Sequence, residues 1–366
     1  MAYQTVCMIA PHSNCADTHV GNEANRAQPG GIAYPGLKRA ETNLPDISVL
    51  VSVWNDGVWL RDFIDAVLAQ TDCNFELLIV NDASDDMTAD ILAQINDPRI
   101  RIFSNTTRRY WANAMNDLAQ QSRGRLLKLV CADDLLQVDC LSQFYAFFQR
   151  HPEIGYIVSG YEMIDNQGHV TQPLQSKPLP PIIASSEADK LFMKMGCWFG
   201  TSMMCIPKLC WDEIGGLRDV TAYNPKQIPI AEDFDMAVRL NAKRAAGYID
   251  APLIKIRAHA TRTCSNKAIP SLKVEANLRI LKHIAERIDQ TSPSASITAT
   301  TMLFQQGAGN LNMGLQYIRT GQITTGLNII LAVLSVLSPY QIAKAWTARM
   351  INRIGDRSRH GPQATP

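Results

Sequence analysis

The sequence predicts an α/β protein: a mostly parallel sheet flanked by helices, with a helical region appended at the C-terminal end. Three observations predict it. Between residues 47 and 150, four short apolar runs alternate with amphipathic segments of helical period. Two of those runs end in acidic clusters, Asn81-Asp82-Ala83-Ser84-Asp85-Asp86 and Cys131-Ala132-Asp133-Asp134. From about residue 272 the strand-like runs cease and the pattern reads as helix up to about residue 354.

The elements follow in order. Ile47-Ser48-Val49-Leu50-Val51 is a short apolar run of the kind a buried parallel strand shows. Asp56 is placed to cap the next helix, in which Trp59, Leu60, Phe63, Ile64, Val67 and Leu68 share one face. The unit repeats three times. Strand 76–80 leads to a helix with Ile91, Leu92 and Ile95 inward, and strand 100–103 to a helix around Trp111, Met115 and Leu118. Strand 126–130 leads to a helix around Leu141, Phe144 and Phe148. Four such units imply right-handed crossovers.

After residue 152 the rhythm changes. Two strand-like runs flank Gly160, a turn falls at Asp165-Asn166-Gln167-Gly168, and a Pro-rich loop covers 172–183. Ser186 and Asp189 form an approximate capping box for a helix to Met195. The glycine-bounded run Gly196–Ser202 suits close approach to a ligand. A third acidic cluster, Ala231-Glu232-Asp233-Phe234-Asp235, opens a helix to about Ala245, and a strand-like pair spans Gly247 to His259. The expected organisation is a mobile tail over 1–44, a main domain over 45–268 and a helical region over 269–366.

Composition narrows the class. A chain of 366 residues can bury a large core, enough for one domain of about 200–250 residues plus an appendage. With 46% hydrophobic and 19% charged residues it reads as an ordinary globular protein. A net charge of +1, and no Lys/Arg run interleaved with aromatics, argue against a nucleic-acid partner. The nine cysteines contain no Cys-x-x-Cys pair, which fits a reducing, cytoplasmic compartment rather than a zinc site. No charged n-region precedes an apolar h-region, so secretion is not expected, and no apolar run reaches the roughly 20 residues of a spanning helix. The apolar block 329–337 followed by Lys344, Arg349, Arg353, Arg357 and Arg359 has two readings. It is a packed helical hairpin, or a peripheral contact with anionic lipid at the inner face of a membrane.

In an open α/β sheet, ligands bind outside the carboxyl ends of the strands. Carboxylates converging there suit a hard divalent cation, Mn²⁺ or Mg²⁺, and that cation suits a phosphate-bearing ligand. Asp133 and Asp134 are either a helix start or the holders of such a cation on a diphosphate. Asp82 is either a helix cap or an acceptor for a nucleobase imide or ribose. Glu232 and Asp233 are either first-turn charges or a general base for an incoming hydroxyl. His259 is either structural or a metal or phosphate contact.

The order of these segments resembles that of inverting family-2 glycosyltransferases. It is carried by Ile47–Asn55, Leu68-Ala69-Gln70-Thr71, Phe75–Ser84, Ala132-Asp133-Asp134, Gly200-Thr201-Ser202 before Ile214-Gly215-Gly216, and Ala231-Glu232-Asp233. The resemblance covers roughly residues 46–264. It implies a GT-A-like nucleotide-diphospho-sugar domain and a sugar-nucleotide donor. It further implies a glycan or lipid-linked acceptor in surface polysaccharide synthesis. Ser52, Asn55 and Asp82 match donor-contacting positions, with Asp133 on the diphosphate side; Asp133, Asp134 and His259 match the metal side. Asp233 matches the catalytic base, with Glu232 beside it, and Arg257 a segment that closes over the diphosphate. Many members carry Asp-x-Asp-Asp where this chain has Cys131-Ala132-Asp133-Asp134, which leaves the last two acids to hold the metal.

Three rivals meet the sequence less well. A sugar nucleotidyltransferase wants a glycine- and basic-rich phosphate loop where this chain has Trp54-Asn55-Asp56-Gly57. A catalytically inactive nucleotide-sugar-binding subunit is at odds with an intact Asp233. A hydride-transferring enzyme wants a Gly-x-Gly-x-x-Gly that does not follow the first strand.

Overall fold

The computed structural model describes residues 44–176, 178–218, 231–259 and 269–340, apart from 292. The expected mobile tail over 1–44 therefore lies, but for Leu44, outside the described residues. The chain forms two compact units. Of the described residues, one holds those up to Ala188 with Trp198–Arg218 and Arg239–His259; the other holds Asp189–Cys197, 231–238 and those from 269 onward.

The first unit is built on a ten-stranded sheet. Strands β1 (Ile47–Val53), β2 (Phe75–Asp82), β3 (Ile100–Asn105) and β4 (Leu126–Leu129) alternate with helices α1 (Gly57–Leu68), α2 (Thr88–Ala93), α3 (Tyr110–Gln121) and α4 (Cys140–Arg150). The four strands lie side by side in the order β3-β2-β1-β4 and all run parallel. The expected alternation is borne out, and its reason is visible: β1, β2 and β4 are buried along almost their whole length, as strands covered on both faces must be.

The second half of the sheet mixes directions. After the two-residue β5 (Leu135–Leu136) come β6 (Tyr156–Ile164), β7 (Val170–Gln175), β8 (Ile182–Ile183), β9 (Met204–Pro207) and β10 (Ala246–Arg257). β9 runs antiparallel between β4 and β6, and β10 runs parallel to β6. Helix α6 (Lys208–Ile214) follows β9, while most of α5 (Ser185–Met195) and of α7 (Glu232–Asn241) falls in the second unit. The second unit contains α8 (Ile269–Thr291), α9 (Pro293–Arg319) and α10 (Ile323–Val336), which pack on one another.

Several local expectations need correction. The runs on either side of Gly160 are one strand, and so are those between Gly247 and Arg257. Between Ile249 and Ile254, β10 takes five steps against two of β6, so a three-residue excess bulges out there. Gly160 faces that bulge: a Cβ would sit 3.0 Å from the Ala251 carbonyl oxygen and 2.9 Å from Leu174. The Pro-rich loop contains β7 and β8, with Pro173 tolerated on an edge strand. Helix α5 begins at Ser185, so Ser186 is inside it and caps nothing. Asp56 makes no cap to α1; the Gly57 amide donates instead to Asp86 Oδ2 (2.9 Å), which ties α1 to the β2–α2 loop.

At the amino ends of the strands, Glu76 is a buried hub. Its Oε1 accepts from Ser48 Oγ (2.7 Å) and the Arg123 amide (2.6 Å), and its Oε2 from Arg123 Nε (3.0 Å) and Arg101 Nη1 (3.2 Å). Burial works against its ionisation, but these hydrogen bonds outweigh it and hold the carboxyl below its ordinary 4.5. A depressed carboxylate stabilises the fold above its unfolded pKa, and that stability is lost as pH falls through the folded value. Glu76→Gln should therefore cost about 2 kcal/mol at neutral pH. The variant and native curves should converge as the medium is acidified below pH 4.5. Urea unfolding across that range is the check, and a constant gap between the curves would exclude the charge as the cause.

Candidate active site

Two groups of side chains collect at the carboxyl ends of the strands. The first gathers around the end of β4. Cys131, Asp133 and Asp134 each offer a ligand atom, and these atoms lie within 4.8 Å of one another. Asp134 is held from two sides: its Oδ2 accepts from Ser202 Oγ (2.6 Å) and its Oδ1 from the Arg257 amide (3.1 Å). Ser202 Oγ also accepts from the Cys131 amide (3.0 Å), so one hydroxyl spans both ends of the acidic run. Asp133 Oδ2 lies 2.9 Å from His259 Nε2, and both side chains are buried.

Lys128 explains why Ser202 stands there. It is a fully buried lysine in β4, and its ammonium donates to the carbonyls of Ser202 and Met204 (3.1 Å to the latter). Its ring contact is Phe144, 5.0 Å away. Burial pushes its pKa down, against the opposing pull of Cys140, Cys205, Asp134 and Cys131. The same burial pushes the Cys140 thiol up to about 12, so that cysteine behaves as a core residue.

Arg257 is almost wholly buried and works as a clamp. Its Nε donates to the Asp133 carbonyl (3.1 Å), and its Nη1 to the carbonyls of Asp165 (3.2 Å) and Asn166 (2.9 Å). The guanidinium lies 4.5 Å over the Trp59 ring, whose centroid is 5.3 Å from that of His259. The structure therefore employs Arg257 in fixing the Asp133 backbone and the turn after β6.

The second group surrounds the ends of β1 and β2. Ser52 is half-buried near the end of β1. Asn55 has φ 57° and is bound to the β2 end: its Nδ2 donates to Asp85 Oδ1 (2.6 Å), and its Oδ1 accepts from the Asp85 amide (3.0 Å). Asp82 is buried and accepts three hydrogen bonds, from Asn105 Nδ2 (2.8 Å) and the amides of Arg109 (2.8 Å) and Tyr110 (2.9 Å). It thereby shapes the loop into α3. Asn55, Ala83 and Tyr110 all have positive φ and all lie here, a concentration of backbone strain typical of ligand sites.

The sequence reading missed the side chains on this rim. Arg108 lies 3.4 Å over the Trp54 ring and 4.9 Å over that of Tyr110, and both aromatics are exposed. An exposed tryptophan directly after a buried strand was the available signal for Trp54. For Lys128 the signal was a lysine inside the otherwise apolar run Leu126–Val130. Ser202 lies in the glycine-bounded run that the sequence singled out, but its support of the acidic run left no local mark, because its partners are 68 and 71 residues away.

Glu232 and Asp233 belong to the second unit, at the start of α7. Glu232 is buried and its Oε2 accepts from the Ala231 amide (3.0 Å), while Asp233 Oδ1 accepts from the Phe234 amide (2.8 Å). Phe234 anchors this helix start against Phe192 of α5, with ring centroids 5.3 Å apart.

Residues 48–210 match the model of glycosyl transferase family 2. This bears out the resemblance to family-2 glycosyltransferases read from the sequence. An uncharacterized glycosyltransferase of Rickettsia prowazekii is 24% identical over 230 residues, which cover 63% of this chain and 69% of the relative. The O-antigen biosynthesis protein RfbC of Myxococcus xanthus is 26% identical over 264 residues, but the match spans 19% of that much longer protein and 68% of this one. Among solved structures, S. aureus TarS aligns with a TM-score of 0.51 at 14% identity, covering 71% of this chain and 42% of TarS. That likeness shows a shared GT-A-type fold.

Ser202→Ala would remove the one hydroxyl that serves both the Cys131 amide and Asp134 Oδ2. The expected loss is about 1–3 kcal/mol in urea unfolding. An unchanged unfolding midpoint would remove Ser202 from the support of the acidic run.

Proposed function

We propose that the chain is a metal-dependent, inverting glycosyltransferase that moves a sugar from a nucleotide-diphospho-sugar to a hydroxyl of a glycan or lipid-linked acceptor. The observation that carries this reading is the convergence of the Cys131, Asp133 and Asp134 ligand atoms at the end of β4, inside the family-matched segment. One thiol and two carboxylates, with His259 beside Asp133, make a donor set that fits a divalent cation such as Mn²⁺ or Mg²⁺. When bound, such a cation neutralises charge on the departing diphosphate.

The chain's own residues supply the rest. Ser52, Asn55 and Asp82 line the nucleoside end, and Asp82 acts there partly through the loop it fastens. Asp133 and Asp134 take the diphosphate end, and Arg257 closes that end by holding the Asp133 backbone. Asp233, with Glu232 beside it, accepts the proton of the acceptor hydroxyl. The new bond runs from that oxygen to the anomeric carbon. The bond to the diphosphate oxygen breaks on the opposite face, its electron pair leaves with the nucleoside diphosphate, and the configuration inverts. The proposed catalytic domain is 45–268, with 269–366 as a helical appendage. Surface polysaccharide synthesis is the proposed context, and the Myxococcus relative's name as an O-antigen biosynthesis protein supports it. The proposed location is the cytoplasm, with peripheral contact at a membrane through the C-terminal helices.

Donor binding should require the cation, because two buried carboxylates would otherwise repel a diphosphate. Calorimetry of UDP and GDP with Mn²⁺ and with a chelator tests this; equal affinity in both conditions would refute the metal site.

Asp233→Asn should leave donor affinity intact and slow transfer by about 10²–10⁴-fold, the usual worth of a positioned base. Asp133→Asn should instead weaken donor binding. Measuring donor affinity and transfer rate for both variants separates the roles. Near-normal transfer by Asp233→Asn would reassign the base to Glu232 or Asp235.

A further inference from the structure

Helix α10 carries no charged residue, yet only one of its faces is used in packing. Gly326, Ile329 and Val333 are buried. The packing is close: a Cβ on Gly326 would collide with the Gly314 carbonyl of α9 and stand 2.6 Å from Ile318. On another flank, Ile323, Leu327, Leu331 and Leu334 are 57%, 49%, 62% and 41% exposed. Their spacing of four, four and three residues keeps them within one stripe of the helix. Four large aliphatic side chains in a row on an uncharged helix are not the scattered apolar residues of an ordinary surface.

We propose that this stripe is a docking face for an anionic lipid surface. The inference rests on the peripheral-membrane reading above and adds to it the side chains that make the contact. Charge favours this occupant. Residues 341–366 follow α10 with Lys344, Arg349, Arg353, Arg357 and Arg359 against one acid, Asp356. A bilayer bearing anionic headgroups complements that cationic segment while its acyl boundary takes the aliphatic stripe. A second copy of the chain would bring two such cationic segments together, at the cost of like-charge repulsion. No helix of the described residues is long and apolar enough to cross a membrane, so the contact lies along the surface.

The test is co-sedimentation of the full chain with phosphatidylcholine vesicles, with and without phosphatidylglycerol. The native protein should favour the anionic vesicles by about tenfold or more. The double variant Leu327→Glu/Leu331→Glu should lose about tenfold or more of that binding. Both positions are exposed, so its thermal unfolding and its affinity for nucleoside diphosphate should be unchanged. If the native chain binds neither vesicle, the membrane reading and this inference fall together. If both proteins bind anionic vesicles equally, the inference alone falls and the contact lies elsewhere. Self-association of the native chain that the double variant abolishes would identify a second copy as the occupant and also overturn it.

Discussion

The arrangement of the site depends on keeping the carboxylate of Asp134 buried and satisfied. A carboxylate in such surroundings is tolerable only with donors on its oxygens. They come from two distant places: the Ser202 hydroxyl and the Arg257 amide. Meeting that requirement brings the segment before β9 and the end of β10 to the end of β4. Arg257 arrives with its side chain on the Asp133 carbonyl, and two residues later His259 reaches the Asp133 carboxylate. Lys128 completes the support from beneath by holding the carbonyl of the same Ser202. Asp133 is thus aimed by elements that its neighbour recruits.

The two groups of site residues are organised by different means. Around β4 the devices are buried charges and their partners. Around β1 and β2 they are backbone conformations, with Asn55, Ala83 and Tyr110 in the left-handed region and the side chains of Asp82 and Asn55 accepting backbone amides of these loops. Loops fixed in this way pay their ordering cost on folding rather than on ligand binding, which favours a preformed crevice. The Trp54–Arg108–Tyr110 stack lies beside these loops, with both rings exposed.

What was legible in the sequence follows from which signals are local. The four strand–helix units were readable because buried parallel strands and amphipathic helices repeat with short periods. The acidic clusters were readable because each directly follows a strand. The employment of Arg257 was not, since its acceptors are carbonyls some 90 to 125 residues away in sequence and a carbonyl leaves no mark in a sequence. Asp56 and Ser186 were misread for the opposite reason. Their local pattern was adequate, but Asp86 accepts the first α1 amide from another loop, and α5 starts two residues early. The continuity of β6 and β10 was also hidden, because Gly160 and Pro252 look like breaks unless the strands are seen to share a bulge.

That bulge has a bearing on how the chain can change length. Side chains on a strand alternate faces with a period of two. The three extra residues of β10 are an odd number, so the stretch ending in Arg257 presents the face opposite to the one an unbroken ladder would give. Loss or gain of a single residue between Ile249 and Ile254 would turn Arg257 away from Asp133 and Trp59, although no site residue had been altered. Changes of two residues would preserve the parity. A segment outside the acidic clusters therefore counts in pairs, and an alignment gap of one there would mark a relative whose clamp is built from something else.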